Sequence, residues 1–354
     1  MRLNHLLLAG GAVLAPAVSP ALGDVLFSDN FNTNTSANWT VNVAPAANAS
    51  LQSAQFAFDY SAYGIPAPTG STDTLGLRLR ANIPGGAVAP VTSRPAGVTS
   101  GLSVSPTGKN FGTSYRVSFD AWSNFNGAPN ASGLADNANS QGGTNNVLFA
   151  VGTSGNAPLV VGSTALVTGG QMDGVGFAAT GDGGLTDDFR VFPASGTSST
   201  AASGVYSAGS TSNANAYYMT LFPSVAAPGV QQSLSTAEYG SDAANTQAGT
   251  TQAGAFGFAW HKVVLTKDGN TVTWDVDGTR IATLDASTLT LGGANLALGQ
   301  SDVNSSTTRH PDLLFTVFDN LTVESVPEPS TAGVVIAAAF AGLAARRQRR
   351  QPVN

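Results

Sequence analysis

Lys262-Val263-Val264-Leu265-Thr266-Lys267-Asp268-Gly269-Asn270-Thr271-Val272-Thr273-Trp274-Asp275-Val276-Asp277-Gly278-Thr279-Arg280-Ile281-Ala282-Thr283-Leu284 is the stretch that decides the fold. Lys262–Thr266 is a short apolar run and in Thr271–Val276 apolar residues alternate with polar ones, the two-residue period of a half-buried strand. Asp268-Gly269 and Asp277-Gly278 separate these runs from each other and from a third, Arg280–Leu284. Asp-Gly tolerates the positive φ that tight hairpins require, so the whole stretch reads as three consecutive antiparallel strands. Val272, Trp274 and Val276 share one face of the middle strand, which is therefore the face turned to a core.

The same signals recur outward from this unit. Val25–Phe31, Trp39–Val41, Phe56–Tyr60, Leu75–Arg80, Tyr115–Trp122 and Leu313–Val323 all read as strands. Leu75, Leu77 and Leu79 share a face. So do Tyr115, Val117, Phe119 and Ala121, with Arg116, Ser118, Asp120 and Trp122 on the reverse. The segments 123–146 and 195–255, rich in Asn, Gly, Ser, Ala and Thr, read as long loops. No stretch has the period of an amphipathic helix. The chain is predicted to be all-β, an antiparallel β-sandwich filling residues 24–325.

Composition narrows the function. The 354 residues carry a formal charge of −6 and only 10% charged residues, against about 25% in typical soluble domains. Setting aside Arg2, Glu328 and the four arginines at the C-terminus leaves ten basic against 20 acidic residues. A body this acidic is the wrong sign for a nucleic-acid partner. The absence of cysteine excludes thiol catalysis, thiolate-bound zinc and iron–sulfur chemistry.

The two ends read as addresses. Arg2 precedes an apolar run, Leu6–Val18, and the small-x-small triplet Ala21-Leu22-Gly23. This is the layout of a secretory signal peptide over 1–23, with cleavage before Asp24. At the other end, 326–354, Val326-Pro327-Glu328-Pro329-Ser330 is followed by an uncharged run of 15 residues, Thr331–Ala345, and then by Arg346, Arg347, Arg349 and Arg350. The two prolines hold Glu328 on an extended stretch. A helix of that run spans about 22 Å at about 1.5 Å per residue, short of a hydrocarbon core of about 30 Å, so it is expected as a short transmembrane helix. The arginines form a cytoplasmic stop.

Pro327-Glu328-Pro329, the short apolar run and the arginine cluster together resemble the PEP-CTERM sorting domain of exported bacterial proteins. The resemblance covers about 28 residues. It implies recognition and cleavage near the motif by an exosortase, tethering to the inner membrane through the C-terminal segment, release to the cell surface or extracellular matrix, and a host that makes extracellular polysaccharide. The body has its own resemblance, over about 60 residues. Trp260–Gly278, Leu296–Asp302 and Phe318-Asp319-Asn320-Leu321-Thr322-Val323 are similar to concanavalin A-like (lectin/glucanase, laminin-G-like) jelly rolls. That architecture hosts lectins, hydrolases and adhesion modules alike.

Catalytic groups are scarce. Glycosidases need a carboxylate pair, yet Glu238 and Glu324 are the only glutamates in the body, and the Glu-x-Asp-x-x-Glu strand motif of the glucanase relatives is missing. Asp187 and Asp188 beside Arg190 fit a structural pair better than a catalytic one. Past the signal peptide only His261 and His310 remain, too few for a zinc site and without a triad pattern. Oxygen ligands are plentiful, which makes a structural calcium the candidate cofactor. Asp29 and Asn30 in the first strand and Asp319 and Asn320 in the last would share the ion if those strands are neighbours. Asp173, Asp182, Asp187 and Asp188 are a second candidate set, and turn formation explains either set equally. For sugar, Trp122 with Asn124 and Asn126 is the candidate platform, the alternative being a ring buried between the sheets. The reading that follows is an exported, non-enzymatic surface or matrix protein, with extracellular polysaccharide as candidate ligand. A glycan-cleaving or glycan-modifying enzyme on the same fold is the alternative, and a purely structural component a third.

Overall fold

The computed structural model describes residues 23–83, 99–125, 144–162, 169–182, 187–194, 198–201, 203–232, 250–303 and 311–327. Its strands are β1 (Val25–Asp29), β2 (Trp39–Ala44), β3 (Ser53–Asp59), β4 (Leu75–Arg80), β5 (Ser100–Pro106), β6 (Ser114–Asn124), β7 (Thr144–Thr153), β8 (Val175–Thr180) and β9 (Phe189–Phe192). A short helix, α1 (Ala216–Leu221), precedes β10 (Trp260–Asp268), β11 (Thr271–Val276), β12 (Thr279–Asp285), β13 (Asn295–Val303) and β14 (Phe315–Ser325). They form two sheets. The larger has the order β12-β11-β10-β6-β14-β4-β3, with β1 pairing the free part of β14; the smaller runs β2-β5-β13-β7-β8-β9. Strand neighbours in both sheets are antiparallel. The expected all-β sandwich is the observed architecture.

The core lies between the sheets. Tyr115, Val117, Phe119 and Ala121 enter it from β6, Val147, Phe149 and Val151 from β7, and Val272, Trp274 and Val276 from β11. Trp274 is fully buried and meets Phe149 edge-on at 5.3 Å. Phe119 lies 5.6 Å from Phe149 and 5.7 Å from Phe318. The faces expected to enclose the core do so.

The outer faces are partly covered as well. On the larger sheet Phe58, Tyr60, Ile65, Trp122, Phe125, Ala227, Phe258 and Phe315 form a second apolar cluster under loop segments. On the smaller sheet Leu148, Ala150, Ala178 and Ala297 pack against Leu159, Val161 and Met172. The loops therefore extend the core.

Local departures have local causes. The first strand stops at Asp29 rather than at Phe31, because Asp29 Oδ1 accepts the Phe31 amide at 2.8 Å and Phe31 turns to φ +53°. The first hairpin is shifted by one residue. Asp268 pairs with Thr271, so Gly269 (φ +54°) and Asn270 are the central residues. The second turns at Asp277 (φ +50°) and Gly278 (φ +76°), both positive, as a type I′ turn requires. No helix was expected, yet α1 forms inside 195–255, where Asn215 caps it by accepting the Tyr217 amide at 2.9 Å. Among the described residues no helix is long and apolar enough to cross a membrane; the expected signal peptide (1–23) lies outside the described residues except Gly23, as does the expected transmembrane segment.

Candidate functional site

Trp122 does point to the reverse of the core face, but it is not presented as a platform. Only 3% of it is exposed. Its ring sits in the outer apolar cluster, 5.8 Å edge-on from Trp260, and its Nε1 donates to Asn124 Oδ1 at 3.2 Å. Asn124 is fully buried. Its Nδ2 donates to the Leu313 carbonyl at 2.7 Å and to Gln231 Oε1, while its Oδ1 accepts from Gln231 Nε2 at 2.8 Å. These amides bind the covering loop to the sheet. Asn126 lies outside the described residues.

The proposed calcium ligands come from neighbouring strands, as anticipated: β1 pairs β14, with Asp29 opposite Leu321. Asp29, Asn30 and Asn320 line one groove, and Asp319 is not among its lining residues. Asp29 turns toward the core, where Oδ2 accepts from Trp39 Nε1 at 2.9 Å, its other oxygen already holding the Phe31 amide. Asp319 turns to the outer face, where Oδ2 accepts from Tyr60 at 3.0 Å and Oδ1 from the Asn320 amide at 2.7 Å. Asn30 is exposed, and Asn320 donates to Asp120 Oδ2 at 2.9 Å. In the second set Asp173 accepts from Thr153 and from the Ser154 amide, Asp187 from Thr211, and Asp188 from Thr180 and the Asn213 amide. Among the described residues no group of three or more His, Asp or Glu is arranged to hold a metal ion.

The outer face of the larger sheet carries a buried acidic pair that sequence reading missed. Asp319 stands directly opposite Asp120 across the β6–β14 ladder. Burial pushes the Asp319 carboxyl up to about 7. The hydrogen bonds from Tyr60 and Asn320 oppose that rise, while Asp73 and Asp120 add to it. Asp120 itself is held by Lys262 Nζ at 3.2 Å. Asp319 is fully buried. His261 is buried against Phe222 and Phe256, its Nδ1 2.7 Å from Asp277 Oδ2. Glu324 pairs with Arg116 at 2.7 Å. Glu238 and His310 lie outside the described residues, as do Glu328, Pro329 and the four arginines; Pro327 is described and exposed.

Among the described residues an accessible groove lies elsewhere, along β1. An open groove of about 410 Å³ is lined by Ser28, Asp29, Asn30, Thr35, Asn38, Asn320, Leu321 and Thr322. A second hollow of about 380 Å³, lined by Phe27, Ala37, Asn38, Thr107 and Lys109, shares Asn38 with it. Asn38 is fixed from both sides: its amide donates to the Thr35 carbonyl, and its carbonyl accepts the Thr107 amide, both at 2.8 Å. Phe27 is half-buried against Trp39 and Phe111, and Lys109 Nζ lies 5.6 Å from its ring centre. One end of this surface therefore offers hydroxyls and amides, the other an aromatic ring and a cation. Of its residues the sequence had singled out Asp29, Asn30 and Asn320, for a different role. The others come from separate segments whose spacing carries no motif.

No protein-family model matches the sequence, and comparison with curated proteins gives no match. Solved structures similar to the chain include a protein of unknown function with a galectin-like fold from Bacillus subtilis, at 11% identity, covering 86% of this chain and 97% of that one, with a TM-score of 0.39. The carbohydrate recognition domain of Emp46p in its potassium-bound form gives 9% identity, 85% and 97% coverage and a TM-score of 0.37. A glycoside hydrolase family 16 endo-glucanase from Bacteroides ovatus gives 12%, 84%, 100% and 0.38.

Proposed function

We propose that this chain is an exported bacterial surface or extracellular-matrix protein, sorted by its C-terminal Pro327-Glu328-Pro329 segment through an exosortase, and that its sandwich binds glycan without cleaving it. The observation that carries the binding reading is the continuous surface around Asn38. Ser28, Asn30, Asn320 and Thr322 supply the donors and acceptors that sugar hydroxyls need, and Phe27 supplies an apolar face. The groove is open and polar, which suits a chain lying across it rather than a small molecule enclosed within it.

The glycan-cleaving alternative has one feature in its favour. Asp120 and Asp319 stand side by side, and burial raises the Asp319 carboxyl to about 7, which suits a general acid. Asp319 has no exposed surface and its oxygens already hold Tyr60 and Asn320. The pair is therefore assigned to structure.

Binding of the mature protein to the host's own polysaccharide, measured by affinity electrophoresis, tests the reading. Asn38→Ala is expected to weaken binding about fivefold or more, the loss of one or two hydrogen bonds. Val230→Ala, at an exposed position in a different segment, should change nothing. Equal retardation of wild type and Asn38→Ala would remove the groove from the account.

A further inference from the structure

The charges around the groove narrow its ligand further, an inference that rests on the glycan reading. Among the described residues the cations are almost all committed. Arg116 pairs with Glu324, Lys262 with Asp120 and Arg280 with Asp275. Arg78, Arg80, Arg190 and Lys267 are buried. Lys109 is the one exposed cation among the described residues with no carboxylate partner, and it lines the aromatic end of the groove.

Its surroundings favour an anion at that end. The ionisable group in the adjoining polar half is Asp29, and both its oxygens already accept hydrogen bonds, from the Phe31 amide and Trp39. Asp29 keeps its charge and disfavours an anion in the polar half, which leaves the Lys109 end for the anionic group, and Ser28, Asn30, Asn38 and Thr322 remain to meet the ligand's hydroxyls. A densely charged polymer fits poorly, because one ammonium cannot neutralise it and the body has twice as many acidic as basic residues. A chain bearing a single carboxylate at the right place fits well.

We propose that the glycan held in this groove contains a uronic acid residue, whose carboxylate meets Lys109 Nζ while the neighbouring sugars lie across Asn38 toward Thr322. Lys109 is thus the specificity-determining residue of the site. An exposed ion pair of this kind corresponds to a preference of about two- to fivefold, weakened by salt.

The test uses a matched pair of probes: β-1,4-glucan oligosaccharides, and the same oligosaccharides oxidised at C6 to uronates, titrated into the full-length protein by calorimetry. Wild type should prefer the oxidised form about two- to fivefold. Lys109→Gln should abolish that preference, and Lys109→Arg should restore it. Equal affinity of wild type for both probes would overturn the inference while leaving the glycan reading standing. So would an equal loss for both in Lys109→Gln, which would mean that the lysine acts by packing on Phe27. Binding of neither probe at millimolar concentration would overturn the inference, and the glycan reading falls with it only if the host's own polysaccharide is not bound either.

Discussion

At the residue scale the most consequential group is Asp319. Tyr60 has one phenolic hydrogen and two acceptors within reach, Asp319 Oδ2 at 3.0 Å and the Asp73 carbonyl at 3.1 Å. Burial pushes the Asp319 carboxyl up to about 7 although Tyr60 donates to it. The stability consequence has a definite sign. The folded state holds the proton more tightly than the unfolded chain, whose carboxyl titrates near 4. The stabilisation is therefore complete below about pH 4 and is lost as the pH rises to about 7. Urea unfolding should show wild type losing on the order of 2–4 kcal/mol between these limits through this group, and Asp319→Asn losing much less. The opposite case is Asp277. Burial works against its charge, but the hydrogen bond and charge of His261 and the Lys262 amide outweigh burial and hold its carboxyl low. That contribution is present above the ordinary carboxylate range and disappears as the pH falls through the lowered value. His261→Gln should shrink the loss of stability on acidification, read from the same titration below pH 4.

At the element scale the two sheets differ in how far they could be read from sequence. All eight strands of the larger sheet were anticipated, because most carry an apolar core face that alternates with polar residues, and because Asp-Gly marks two of its turns. In the smaller sheet β2 alone was read as a strand; β13 entered only through a resemblance, and β5, β7, β8 and β9 were missed. The burial explains this. Each residue of β5, Ser-Gly-Leu-Ser-Val-Ser-Pro, is buried, and so is each residue of β8, Val-Gly-Phe-Ala-Ala-Thr. Strands covered on both faces lose the alternation that betrays a strand, and small residues on the outer face lose the apolar run as well. Trp122 failed as a platform for a related reason. Its face was read correctly, but the loop carrying Ala227, Gln231 and Phe258 over it left no periodic trace. Those small residues are structural. A Cβ on Gly101 would overlap the Gln300 carbonyl oxygen and stand 2.8 Å from Ser301 Cα. Gly101→Ala should therefore separate β5 from β13 and cost about 1–3 kcal/mol, measurable as a lowered urea midpoint with unchanged slope.

At the scale of the whole molecule, β14 joins the distant parts. It pairs with β6 on one side and with both β4 and β1 on the other. The larger sheet therefore closes only when the last strand is in place, and the proposed sorting segment begins directly after it. Truncation after Leu314 should abolish cooperative thermal unfolding by circular dichroism, whereas truncation after Ser325 should preserve it. The antiparallel β1–β14 pair also sets Val25 opposite Glu324, so the two positions next to the expected processing sites lie at the same end of the sandwich. That placement bears on the central claim, export and sorting of a glycan-binding sandwich. The most direct test is intact mass and fractionation of the protein from its native host, wild type beside Glu328→Ala. The account predicts a wild-type form beginning near Asp24, ending near Pro327-Glu328-Pro329 and released from the membrane, with Glu328→Ala retained at the membrane with its tail. A wild-type protein that keeps its tail, stays in the membrane and is indifferent to the substitution would contradict it.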